Sequence, residues 1–222
     1  MDETALKEIL QLVNKGNNLG EKIYLVGATK TIPYQTINHA IELGLEIVAE
    51  NKVQEFREKY AFIKNAKQHF IGHLQTNKVK YLVGKVELIH SVDSLHLATA
   101  ISNQAQKVNT TQNILLEVNI GAELSKSGFA LDNLYENLKT ISQLNNICVQ
   151  GLMAMLPKSD DQQYLANLCL KMRTLYDKIK NDGYDLRYLS IGMSNDYKIA
   201  IQNGSNMIRL GSKIFGERVY GG

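Results

Sequence analysis

Short apolar runs of the buried-strand type recur eight times along the chain, and segments of helical periodicity alternate with them. The runs are IYLVGATK (23–30), EIVAE (46–50), HFIGHL (69–74), ELIHSV (87–92), NILLEVN (113–119), ICVQGLMAM (147–155), DLRYLSIG (185–192) and NMIRLGS (206–212). Several are continuously apolar and do not alternate with polar residues, which is the mark of strands covered on both faces. The segments between them include a stripe through Ile37, Ala40 and Ile41 that stops at Gly44, QEFREKYAFI (54–63) and a short helix near Asn77–Leu82. Longer patterns run over Ser94–Val108, Leu131–Leu144, about Asp160–Asn181, and Tyr197–Asn203. An N-terminal segment (1–17) carries one more amphipathic helix over 3–15, with Leu6, Ile9, Leu10 and Val13 on one stripe.

Strand–helix alternation predicts a parallel sheet covered by helices. Eight such units can close on themselves, so the expected fold class is α/β, a (β/α)8 TIM barrel, in one domain over residues 1–222. A doubly wound open sheet is the alternative, although six or fewer strands would suit it better. No Pro/Gly/Ser linker, charge block or composition shift divides the chain, and 222 residues with 44% apolar content suffice for one core. A net charge of +3 without a clustered basic face excludes a nucleic-acid footprint. No apolar stretch approaches the roughly 20 residues that span a bilayer. The start, MDETALKEIL, lacks the basic opening and apolar run of a signal peptide, so a cytoplasmic location is expected. Cys148 and Cys169 read as two reduced core thiols.

Barrels of this kind place their sites at the C-terminal ends of the strands. Gly192, Ser194, Gly211 and Ser212 cluster after the last two strands. Glycine lets backbone approach an anion, and a following helix start offers unpaired N–H groups; two ordinary turns with N-cap serines would look the same. Lys30 ends a strongly apolar strand. A solvated surface charge is the alternative, but partial desolvation at a barrel mouth would disfavour the charged form and free an amine for attack on an aldehyde. Arg209 lies in an apolar run and must be hydrogen-bonded or paired. Its partner could be Glu50, Glu117 or Glu217, or an acceptor on a ligand. The five histidines show no familiar metal spacing, and neither a Walker P-loop nor a G-x-S-x-G elbow is present.

Taken in order, LVGATKTIP, VAENKVQE, HFIGHLQTNK, SVDS, EVNIGAELSKSGF, VQGLMAM, LSIGMSND and MIRLGSKIFGER resemble the pyridoxal phosphate homeostasis protein family, over about residues 20–218. The resemblance implies a barrel akin to the N-terminal domain of alanine racemase and pyridoxal 5′-phosphate (PLP) as cofactor. It implies that Lys30 forms the Schiff base and that Ser190, Met193, Ser194, Gly211 and Ser212 surround the phosphate. Arg209 would donate to the pyridine nitrogen, Asn51 would neighbour the ring, and Met153 would form part of the wall. Gln75, Asn77 and Lys78, and Lys126, Ser127 and Gly128, fall in two further family motifs without an assigned cofactor contact. Ala49 stands where the family commonly has glycine, and Lys52 where an aromatic or polar residue is frequent.

An always-charged arginine at the ring nitrogen opposes its protonation and weakens the ring as an electron sink. Alanine racemase draws a second acid–base residue from an additional C-terminal domain, and this chain is expected to lack one after Gly222. The expectation is therefore a monomeric, non-enzymatic carrier that stores PLP and hands it to PLP-dependent apoenzymes. A racemase-like activity on amino acids and a sugar-phosphate barrel are the competing readings.

Overall fold

The computed structural model describes residues 1–123 and 127–216. Eight strands close a parallel barrel in the order of the sequence: β1 (Tyr24–Ala28), β2 (Ile47–Glu50), β3 (Lys67–Phe70), β4 (Leu88–Val92), β5 (Gln112–Val118), β6 (Ile147–Ala154), β7 (Tyr188–Ser190) and β8 (Met207–Leu210). β8 pairs back onto β1, with Val26 opposite Arg209, so no edge strand remains. The helices are α1 (Glu3–Val13), α2 (Tyr34–Glu42), α3 (Val53–Lys59), α4 (Leu95–Lys107), α5 (Leu131–Ile141), α6 (Gln162–Asn181), α7 (Tyr197–Gln202) and α8 (Ser212–Phe215). The expected barrel is the observed one.

The two faces of each strand fill two cores. Val26, Ile47, Ala49, Leu88, Leu115, Met153, Tyr188 and Met207 turn inward and plug the lumen. Their neighbours in sequence turn outward beneath the helices; Ile114, Leu116, Leu152, Leu189 and Phe70 pack there with Leu138, Met172 and Ile101. Helix starts are fixed by side-chain caps, Asp2 to the Ala5 N–H, Ser94 to Leu97 and Asp161 to Tyr164. α1 buries Leu6, Ile9 and Val13 in one cluster with Ile208, Ile214 and Phe215. It thereby covers the seam where β8 meets β1.

Three expectations shift at the strand ends. The third strand starts at Lys67 and stops at Phe70, not at residue 74. The chain leaves the ladder at Gly72, where any Cβ would sit 1.8 Å from the Asn51 carbonyl oxygen, so only glycine fits. β7 ends at Ser190, and Gly192 turns the chain with φ of +106° against α7. The eighth run stops at Leu210, because Ser212–Phe215 form one helical turn that periodicity over so few residues does not reveal. Among the described residues no helix is long and apolar enough to cross a membrane. Cys169 is buried, and its thiol is pushed up to about 12 by burial. Cys148 is only half-buried and takes a hydrogen bond from the Gln150 amide, so it is not the core thiol expected.

Candidate functional site

Lys30 is the second residue past β1. The alternation that turns Val26 into the lumen, continued to Lys30, aims its side chain at the barrel mouth. The residue is half-buried, and among the described residues no carboxylate forms an ion pair with it. Thr31 follows with φ of +65°, a left-handed conformation that is strained for a β-branched residue. Asn51, the first residue past β2, is half-buried at the next position round the rim, its carbonyl against Gly72.

On the other side of β1, two loops end β7 and β8. Among the described residues the backbone N–H groups of Ser194 and Asn195, and of Ser212 and Lys213, donate to no protein acceptor. The Met193 N–H differs: it is taken by the Asp196 carboxylate at 2.5 Å. Helices α7 and α8 hold six and four residues, too short to build much of a dipole, so free donors and not a macrodipole are what these loops offer an anion. Ser194, Gly211 and Ser212 are solvent-accessible, and Met193 is exposed on the rim. Ser190 is different. It is fully buried, and its hydroxyl accepts from Arg209 Nη1 at 2.6 Å.

Arg209 lies in the lumen at 5% exposure. Its Nη1 donates to the Ser190 carbonyl and hydroxyl, and Nη2 to the Ala154 carbonyl. These three contacts leave two of the five guanidinium donors for a further acceptor. Burial pushes its pKa down to about 10, which still leaves it cationic at neutral pH. Among the described residues, neither Glu50 nor Glu117 is its ion-pair partner. Glu50 faces away from the lumen and binds Lys59, Glu117 acts on Arg209 only through the field, and Glu217 lies outside the described residues. Arg209 is thus held by neutral oxygens. Met153 pairs in register with Ser190 and is 1% exposed, which makes it part of the wall beneath the mouth.

Behind Ser190 runs a chain of buried polar groups that sequence spacing did not bring together. The Ser190 hydroxyl lies 3.5 Å from His90 Nδ1, and His90 Nε2 lies 3.0 Å from His69 Nδ1. Burial holds His69 down to about 3 and His90 well below its usual range, so both are neutral. The two histidines stand 21 residues apart, one on β3 and one on β4, and only the ladder register makes them neighbours. Beyond them on the lumen wall, Glu117 is buried on β5 with its carboxyl pushed up, chiefly by burial and then by Asp93. Among the described residues no group of three or more His, Cys, Asp or Glu could hold a metal ion.

With this geometry in hand, comparison with known proteins is informative. Residues 22–219 match the family model of the alanine racemase N-terminal domain. A pyridoxal phosphate homeostasis protein of Aquifex aeolicus is 40% identical over 97% of this chain and 94% of its own length. The chain belongs to the pyridoxal phosphate homeostasis protein family. The family's protein from Escherichia coli is 33% identical over 90% of this chain and 88% of its own. Among solved structures, PipY of Synechococcus elongatus with PLP bound superposes at a TM-score of 0.84, with 27% identity, 96% of this chain and 100% of that chain covered. Alanine racemase of Clostridium difficile shares the fold at a TM-score of 0.72 and 17% identity, covering 97% of this chain but 56% of its own.

The family motifs fall in three zones of this barrel. Lys30, Asn51, Ser194, Gly211 and Ser212 ring the mouth; Met153, Ser190 and Arg209 lie below it. Gln75, Asn77 and Lys78 are exposed on the turn after β3. Lys126 lies outside the described residues, next to Ser127 and Gly128.

Proposed function

We propose that this protein holds PLP covalently on Lys30 and serves PLP homeostasis as a carrier, without turning over a substrate. The observation that carries the reading is half-buried Lys30, whose amine has no carboxylate partner among the described residues, beside loops in which four backbone donors are unused among those residues. When bound, PLP supplies an aldehyde that condenses with an amine, forming a C=N bond and releasing one water. Lys30 provides that amine. Ser194, Asn195, Ser212 and Lys213 offer N–H groups to the phosphate, and the Ser212 hydroxyl adds a donor at the same rim. Met153 supports one face of the ring, Asn51 neighbours it, and Met193 closes the rim. The PLP-bound PipY structure and the names of the relatives support the cofactor assignment.

Arg209 supports the carrier over the enzyme. Its spare donors suit the pyridine nitrogen, and a cation there opposes protonation of the ring. PLP-dependent apoenzymes are the recipients this reading requires, and the cytoplasm, where thiols such as Cys148 and Cys169 stay reduced, is its setting. The test is reductive trapping. Borohydride treatment of the PLP-loaded protein should add the cofactor's mass to the Lys30 peptide, and incubation with a panel of amino acids should yield no product. Trapping at another lysine would overturn the assignment of Lys30. Turnover that disappears in Lys30→Ala would overturn the carrier in favour of an enzyme.

A further inference from the structure

Behind the turn that carries Lys30 sits a group of charged side chains on the outer face of the sheet. Lys59, the last residue of α3, donates to Glu50 Oε1 at 2.8 Å, to Glu55 Oε2 at 3.2 Å and to the Thr29 carbonyl at 3.0 Å. Thr29 in turn donates its hydroxyl to Glu50 Oε1 at 2.6 Å and its N–H to the Ala49 carbonyl. The Thr31 N–H donates to Glu55 Oε2 at 2.7 Å. Thr29 is therefore tied to Glu50 and Lys59 and Thr31 to Glu55, so one connected group of side chains holds both neighbours of Lys30, while Lys30 itself is tied to none of them. The three are largely withdrawn from water, with side-chain exposures of 14% for Lys59, 7% for Glu50 and 17% for Glu55.

We propose that Glu50, Glu55 and Lys59 are positioning residues, which clamp the strained Thr29–Thr31 turn so that the Lys30 amine is presented to the barrel mouth. The inference rests on the reading of Lys30 as the covalent attachment point. Three physical points support it. Thr31 at φ of +65° needs an external partner to persist, and Glu55 supplies it. Burial works against ionised Glu55, yet the Thr31 N–H and the Lys59 ammonium hold its carboxyl below the usual range. A buried ion pair is a weak source of net stability but a strong source of fixed geometry.

The decisive variant is Glu55→Met, which removes the acceptor of the Thr31 N–H and leaves the Lys59–Glu50 pair in place. Three quantities are measured: the rate of borohydride-trappable attachment of PLP to Lys30, the affinity for pyridoxine 5′-phosphate, which has no aldehyde, and exchange of the Thr31 amide in the ligand-free protein. Attachment should slow about tenfold, and Thr31 exchange should accelerate at least about tenfold, as expected for releasing one strained residue. Pyridoxine 5′-phosphate affinity should stay within about twofold, because the phosphate loops are untouched. Glu55→Gln, which keeps an oxygen acceptor, should restore most of the rate. So should Thr31→Gly in the Glu55→Met background, since glycine takes positive φ freely. Wild-type attachment in Glu55→Met would overturn the clamp, and so would equal loss of attachment and of pyridoxine 5′-phosphate affinity without rescue by Thr31→Gly. If the wild type attaches PLP elsewhere than Lys30, the underlying reading fails. The clamp on the turn is then decided by Thr31 exchange alone, and unchanged exchange in Glu55→Met overturns it.

Discussion

The β1–β2 arc of the barrel mouth and the β7–β8 arc handle charge in opposite ways. On the first, Lys59 meets two carboxylates and the three together hold a strained turn. On the second, the buried guanidinium of Arg209 meets only neutral oxygens among the described residues, and the loops above it offer bare backbone N–H groups. The difference suits the proposed roles of the two arcs. A reactive amine gains from a turn held in one geometry. A phosphate and a ring nitrogen gain from donors that no acidic side chain has claimed. Ion pairs thus sit where geometry is needed and are kept away from where an anion or an acceptor must bind.

Removing the reactive group of the first arc should have the largest effect. Lys30→Ala should abolish trappable attachment of PLP entirely while leaving weaker, phosphate-dependent binding, measured by mass spectrometry and by equilibrium dialysis. If binding vanished as well, the second arc would not hold the phosphate independently of the first.

Acid should act on the buried histidines behind Ser190, which support the second arc from β3 and β4. His69 is held at about 3 against an ordinary value of 6.5, and His90 is also strongly depressed. Above pH 6.5 neither folded nor unfolded chain binds these protons. Below it the unfolded chain takes them and the native barrel does not, so stability falls as pH drops from 6.5 towards 3. The slope should approach about 1.4 kcal/mol per pH unit for each buried histidine, read from denaturant unfolding at successive pH values. A flat profile between pH 6 and pH 4 would mean that the histidines are protonated inside the barrel.

A single negative charge at the phosphate side sharpens the contrast further. Ser212→Asp should weaken PLP affinity by about tenfold or more through like-charge repulsion, with the attachment site still Lys30. Unchanged affinity would move the phosphate away from the β8 loop. The smallest effect is spectroscopic. Ser190→Ala removes one neutral partner of Arg209 and should shift the absorbance of bound PLP without slowing its attachment, the reverse of Glu55→Met. A slower attachment with no spectral shift would place Ser190 with the wrong arc.

Much of this protein was legible along the chain. Eight apolar runs separated by helical stripes predict a parallel sheet that can close on itself, and the structure closes it. The rule that barrel sites stand at strand C-termini then marked Lys30, Asn51, Ser194, Arg209, Gly211 and Ser212, and the structure brings them to one end. The sequence did not show that Ser190 and Ala154 hold Arg209. Nor did it show that His69 touches His90, or that Lys59 steadies residues 30 positions earlier. Periodicity is a local property and survives in one dimension. Partner choice among buried polar groups depends on register between neighbouring strands and on how a helix end folds back over the sheet. Those distances exist only once the ring has closed.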